Sequence, residues 1–143
     1  MNIKICFQEE VDSTNLYAKR MAEEGAPEGT LALADAQTAG RGRRGRSWDS
    51  PKGESIYMSL LLRPKILPEH ASQLTLVMGL SVAEGVADVL HLPVQIKWPN
   101  DVVVDGKKIC GILTEMSAGM DGIHYIVIGV GINVNNQIGR AHV

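Results

Sequence analysis

Val102-Val103-Val104-Asp105-Gly106-Lys107-Lys108-Ile109-Cys110-Gly111-Ile112-Leu113-Thr114-Glu115 is a pair of apolar runs joined by a dipeptide that reverses the chain. Asp-Gly tolerates positive φ at both central positions of a type I′ turn, the turn whose twist matches two antiparallel strands, so this stretch reads as a β-hairpin. The pattern extends outward on both sides. Val94, Ile96 and Trp98 alternate with polar residues ahead of it, and Asp121-Gly122 precedes another apolar run, Ile123 to Val130. The second half of the chain is therefore expected to be an antiparallel meander.

The first half mixes both periods. Ile3, Ile5 and Phe7 alternate, which predicts a half-buried first strand. Asp12-Ser13-Thr14-Asn15 supplies N-cap residues for a helix from Thr14 to about Glu24, closed by Gly25 and Pro27. Thr30 to Ala36 reads as a second strand, and Ser55 to Leu62 as a third whose apolar run predicts burial on both faces. After Pro64 to Pro68, Glu69 to Leu90 carries apolar residues at helical spacing, with Gly79 and Gly85 as interruptions. Strands, a long scaffold helix and more antiparallel strands give an α+β class, a mixed and largely antiparallel sheet with helices packed on it, rather than a doubly wound sheet.

Composition narrows the function. With 143 residues, 45% hydrophobic and 21% charged, the chain fits one soluble domain with a real core. Its apolar runs fall short of a membrane span and no signal-peptide layout precedes them, so no membrane and a cytoplasmic location are expected. Cys6 and Cys110 lack a Cys-x-x-Cys spacing and read as reduced, buried thiols; His70, His91, His124 and His142 are scattered, and no metal site is assigned. The net charge of −2 argues against a duplex-binding surface, so no DNA partner is expected.

Against that charge, Gln37 to Trp48 stands apart, since it interleaves Arg41, Arg43, Arg44 and Arg46 with Gly40, Gly42 and Gly45. Glycines at positive φ turn backbone N–H groups into a nest for oxyanions, and guanidinium forks match carboxylate and phosphate. Trp48 offers a ring for stacking. The same run also fits a solvated basic loop that touches RNA weakly, and the loop alone leaves both readings open. Similarly, Ser13 and Thr14 at a helix start serve either as plain caps or as ligand contacts.

Five ordered motifs decide between these. Ser13-Thr14-Asn15 with Gln37, the Gly40 to Trp48 loop, Lys97-Trp98-Pro99-Asn100-Asp101, Lys107-Lys108-Ile109-Cys110-Gly111-Ile112, and Gly129-x-Gly131-Ile132-Asn133-Val134-Asn135 resemble the biotin-protein ligase family from Val11 to Asn135. The resemblance implies the class II synthetase-like catalytic fold of biotin and lipoate ligases. It also implies activation of biotin by MgATP to biotinyl-5′-adenylate and transfer to a lysine of the biotin carboxyl carrier protein of acetyl-CoA carboxylase. In it, Ser13, Thr14, Asn15 and Gln37 attend the ureido ring and its helix; Gly40, Arg41, Gly42, Arg43 and Lys108 wrap the biotin carboxylate, Arg43 and Lys108 being the catalytic cations. Arg44, Arg46, Trp48, Asn100, Asp101 and Asn133 would meet the nucleotide, with Mg²⁺ riding on phosphates rather than on a protein site. A homodimer is left open.

Residues 1–136 read as the catalytic domain without a preceding DNA-binding domain, and 137–143 as a tail unlike the family's continuation. Two alternatives stand beside the ligase: an impaired domain that only binds biotin or its adenylate, and a lipoate-type ligase, which carries a different arginine and glycine pattern. The clustered arginines predict a loop that orders when an anion arrives.

Overall fold

The computed structural model describes residues 1–47, 50–98 and 100–134, the side chain of Arg43 excepted. Along the chain run β1 (Lys4–Val11), α1 (Thr14–Glu23), β2 (Thr30–Gln37), β3 (Ser55–Leu62), α2 (Ser72–Leu90), β4 (Val94–Lys97), β5 (Asp101–Val104), β6 (Lys107–Gly119) and β7 (Gly122–Asn133). The strands form one seven-stranded sheet in the order β1-β2-β3-β7-β6-β5-β4. Among the described strands only β1 and β2 pair in parallel, which requires a crossover, and α1 is that crossover. The other pairs are antiparallel, as expected from the sequence. Asp105 (φ 52°) and Gly106 (φ 75°) both take the left-handed conformation that the hairpin between β5 and β6 needs.

The two helices cover opposite faces, and β7 is the strand sandwiched between them. Its Tyr125 and Val127 pack with Ala18 and Ala22 of α1, Ala32 and Leu61. Its Ile126, Ile128 and Val130 pack with Val82 of α2, Val102, Cys110 and Ile112. β7 is thus buried on both faces, whereas β3 buries Tyr57, Ser59 and Leu61 and leaves the alternate residues half-exposed or exposed. A continuous apolar run did not distinguish the two.

Two further expectations need correcting. β1 forms, but Ile3, Ile5 and Phe7 are 51%, 60% and 53% exposed. Ile5 and Phe7 pair with Leu31 and Leu33, on the face α2 covers only beyond β3, so alternation reported the strand and not its burial. The long helix begins at Ser72 after a separate short turn, Pro68–His70. The whole stretch Pro68–Leu90 is also long and apolar enough, by length and composition, to cross a bilayer; reading contiguous apolar runs missed this because polar residues interrupt it. Here it lies on the sheet through Leu74, Met78, Val82 and Val86.

Candidate active site

The start of α1 is tied on every side by side-chain hydrogen bonds. Ser13 caps it, its Oγ accepting from Leu16 N at 3.0 Å. Asp12 accepts from Ser13 N at 2.7 Å and from both terminal nitrogens of Arg20 at 2.9 and 3.1 Å. The Arg20 guanidinium holds the Asp12 carboxyl below its ordinary range despite some desolvation. Thr14 donates its backbone N–H to Gln37 Oε1 at 2.8 Å, and Gln37 Nε2 donates to Ser50 Oγ at 2.9 Å, which fixes the amide's orientation. Beneath them Ser59 Oγ, fully buried on β3, stands 2.8 Å from Thr14 Oγ1 and 2.5 Å from Asn15 Oδ1.

Asn15 closes the arrangement from above. Its Nδ2 donates to Leu113 O at 3.3 Å and to Glu115 Oε1 at 2.9 Å. This approach is allowed only because position 129 has no side chain: a Cβ there would lie 2.3 Å from Asn15 Oδ1.

These residues line a cleft. Ser13, Thr14, Asn15, Gln37, Arg41, Gly42, Asn100 and Lys108 share it with Gly111, Ile112, Leu113, Gly129, Val130 and Gly131. The structure thereby brings together eight sequence-predicted residues from four separate motifs. A second cavity of about 240 Å³ adjoins it, sharing Asn100, Ile112 and Leu113 and bounded by Thr75 of α2 and by Trp98. Asn100 is pinned to β6, donating Nδ2 to Ile112 O and accepting from Ile112 N, both at 3.1 Å.

Two cations face the cleft, each backed by a carboxylate. Lys108 Nζ is 2.9 Å from Asp101 Oδ1, with both side chains largely buried. Burial pushes the Lys108 amine down, and the Asp101 carboxylate opposes that shift. Asp101, expected near the nucleotide, thus sits behind Lys108. Arg41 Nη2 is 2.6 Å from Glu115 Oε2, which also takes Lys19 Nζ at 2.7 Å. Burial pushes the Glu115 carboxyl up, but hydrogen bonds from Lys19 and Asn15 and the charges of Lys19 and Arg41 outweigh it and hold it below its ordinary range.

The loop itself differs from a simple glycine nest. Of its glycines only Gly45 takes positive φ, at 75°, and Arg44 does so beside it at 57°. Gly40 and Gly42 keep ordinary backbone, and Gly42 N donates to Arg46 O at 2.7 Å, so that donor is used within the loop. The backbone of Arg43 begins the turn Arg43–Gly45. Arg44 and Arg46 are exposed, and Asn133 is half-exposed at the end of β7 opposite Ser55. Gly40, Arg44, Arg46, Asp101 and Asn133 are not among the residues that line the cleft. Trp48 and the Arg43 side chain lie outside the described residues, as do Asn135 and the tail 137–143.

Sequence reading missed Ser59, Glu115 and Lys19, which touch or brace the predicted groups, and Leu113, which lines the cleft; Gly129 and Gly131, quoted in the fifth motif without a role, line it too. Gly129-x-Gly131 on a strand was the available signal, because glycines on one face of a strand mark a close approach. Nothing local marks Ser59 or Glu115. Cys110 is buried as expected, its thiol pushed up to about 12 by burial.

Comparison with known proteins agrees with this architecture. The chain is 47% identical over 137 residues to the bifunctional ligase/repressor BirA of Bacillus spizizenii, covering 96% of this chain and 42% of that one. It is 41% identical over 125 residues to the biotin–[acetyl-CoA-carboxylase] ligase of Paracoccus denitrificans, covering 86% and 51%. The structure is similar to the biotin protein ligase of Aquifex aeolicus in complex with biotin and ATP, with a TM-score of 0.80 and 42% identity over 94% of this chain and 53% of that one. The chain spans about half the length of these relatives. A model of the Biotin/lipoate A/B protein ligase family matches residues 7–133, and the chain, with its seven-stranded mixed sheet and two helices, belongs to that family.

Proposed function

We propose that residues 1–136 carry the biotin- and ATP-binding part of a biotin-protein ligase. The observation that supports this most is one cleft holding neutral donors and acceptors, from Ser13, Thr14, Asn15 and Gln37, together with two cations, Arg41 and Lys108. A ligand with a urea-like ring and a carboxylate needs that combination. The names of the relatives point the same way, one being a biotin–[acetyl-CoA-carboxylase] ligase and another having been solved with biotin and ATP.

In this reading a biotin carboxylate oxygen attacks the α-phosphorus of ATP, pyrophosphate leaves, and biotinyl-5′-adenylate remains. The amine of a lysine on a biotin carboxyl carrier protein then attacks the acyl carbon, AMP leaves, and the amine loses a proton. Bringing a carboxylate against a phosphate is opposed by charge, so fixed cations rather than a general base lower the barrier. Lys108 and the loop arginines Arg41 and Arg43 supply them, and Arg44, Arg46, Trp48, Asn100 and Asn133 serve the nucleotide. Mg²⁺ would come bound to the ATP phosphates and offset their charge there. The reading includes a cytoplasmic location. It carries over no DNA contact, the chain's formal net charge being −2.

Calorimetry with biotin, followed by pyrophosphate release on adding MgATP, tests this. Heat with biotin and release of pyrophosphate are expected, with no heat from octanoate. Absence of biotin heat refutes the reading. Because the chain spans half of its relatives, a domain that binds without turnover is the second reading, identified by biotin heat without pyrophosphate.

A further inference from the structure

We propose that Glu115 is a positioning residue for this cleft: its carboxylate anchors Arg41 and Asn15, and so holds the start of the glycine–arginine loop and the start of α1 in one arrangement at the cleft wall. The proposal rests on the biotin-binding reading above.

Glu115 pairs across the sheet with Val127, a residue of the α1-side core, so it rises on the same face as α1. Asn15 and Lys19 are one turn apart on that helix and therefore reach the same point. One carboxylate meets three donors: Asn15 Nδ2 at 2.9 Å on Oε1, and Lys19 Nζ at 2.7 Å with Arg41 Nη2 at 2.6 Å on Oε2. The sheet, the helix that starts the site and the loop that closes it are joined there.

The residues that lead into the loop are tied as well. Thr38 N donates to Val11 O at 2.9 Å and Ala39 N to Asp12 O at 2.7 Å, so the backbone entering the loop is held to the β1–α1 connection. Glu115 adds a tether to the body at Arg41, ahead of the left-handed turn at Arg44 and Gly45. Within the loop Gly42 N donates to Arg46 O, and Arg41 bridges to Ser47. The Arg41 side chain is 40% exposed, and a long side chain so exposed samples many rotamers unless a partner selects one. Glu115 makes that selection at the cleft wall and orients Asn15 by the same carboxylate.

The test is biotin calorimetry on this chain with Glu115→Gln, Arg41→Met, the double variant and Lys19→Met. Glu115→Gln keeps shape and an acceptor but removes the charge. It and Arg41→Met are each expected to weaken biotin roughly tenfold, the equivalent of about 1.4 kcal/mol. The double variant is expected to lose clearly less than the product of the two single losses, because the Glu115–Arg41 contact is common to both. Lys19→Met, which shares the carboxylate but does not line the cleft, is expected to stay within about twofold of wild type. Unchanged or tighter biotin binding in Glu115→Gln overturns the proposal, as does an additive loss of about a hundredfold in the double variant. Amide exchange without ligand is the independent arm. Glu115→Gln should accelerate exchange at Gly42 and leave Ala32 in β2 unchanged; equal rates at Gly42 refute the tether. If wild type gives no heat with biotin, the functional reading fails while the exchange arm still decides the tether.

Discussion

Replacing Gly129 by alanine tests whether the cleft depends on one close approach. The added Cβ would stand 2.3 Å from Asn15 Oδ1, 2.9 Å from Cγ and 3.1 Å from Nδ2. Non-bonded carbon and oxygen atoms do not approach so closely, so Asn15 must move by roughly the shortfall from van der Waals contact, about 1 Å. It cannot do so freely, being 4% exposed and bound to Ser59, Leu113 and Glu115. Overpacking a tight site costs about 1–3 kcal/mol, and each weakened buried hydrogen bond about 1 kcal/mol. Together these put the loss at about 2–4 kcal/mol. At about 2.1 cal/mol/K per residue the unfolding entropy of a chain this size is about 0.3 kcal/mol/K, so the melting temperature should fall by about 7–13 °C. Biotin heat should shrink in parallel, since Asn15 lines the cleft. The decisive control is Gly129→Ala in an Asn15→Ala background, where the clash no longer exists and the extra cost should drop below about 1 kcal/mol. An equal loss in both backgrounds refutes the reasoning.

Lys108→Ala should abolish pyrophosphate release and also lower the melting temperature, because it strands the Asp101 carboxylate, which is only 19% exposed; adding Asp101→Asn should recover the melting temperature but not the release. Acid should loosen the site through Glu115. Its folded pKa is depressed, so its stabilisation is complete above the unfolded value of about 4.3 and disappears as pH falls through the lower folded value. Glu115→Gln should therefore flatten that limb of the melting curve, and an identical limb in wild type and variant argues against the shift. Alkylation of the native protein followed by mass spectrometry should label Cys6, which is partly exposed, and spare Cys110, which is fully buried with its thiol pushed up to about 12.

Local chemistry carried most of the fold. The Asp105-Gly106 turn, the Ser13 cap and the bounds of β3 could all be read from neighbouring residues, because each depends on φ, on a side chain reaching its own backbone, or on strand periodicity. What could not be read was which element covers which face. Ile5 and Phe7 have the pattern of a buried strand, yet they lie on a sheet face that α2 meets only further across, and nothing within their own strand encodes that distance. The candidate site divided in the same way. Motif residues such as Gln37, Arg41 and Lys108 were legible, whereas Ser59 and Glu115 lie 44 and 100 residues from the Asn15 they support, a separation only the sheet order bridges.

That division bears on the chemistry. A loop of arginines beside an unshielded lysine would hold several like charges around an empty cleft, and their repulsion would favour an open chain. The fold instead places Asp101 behind Lys108 and Glu115 behind Arg41, with neither carboxylate among the cleft-lining residues. Lys108 with Asp101 is close to neutral, and Glu115 offsets one of the two charges that Arg41 and Lys19 bring, so the cations can be held at the wall before any anion arrives, and the donors of a guanidinium or ammonium outnumber what one carboxylate contact occupies. An incoming carboxylate or phosphate then meets charge already oriented, which is the condition for electrostatic stabilisation without reorganisation. The cost is that neither carboxylate is interchangeable with its amide: Asp101→Asn and Glu115→Gln should leave the cations more strongly charged toward the cleft but less fixed. Their opposite effects on the encounter rate and residence time of an anionic ligand separate steering from positioning.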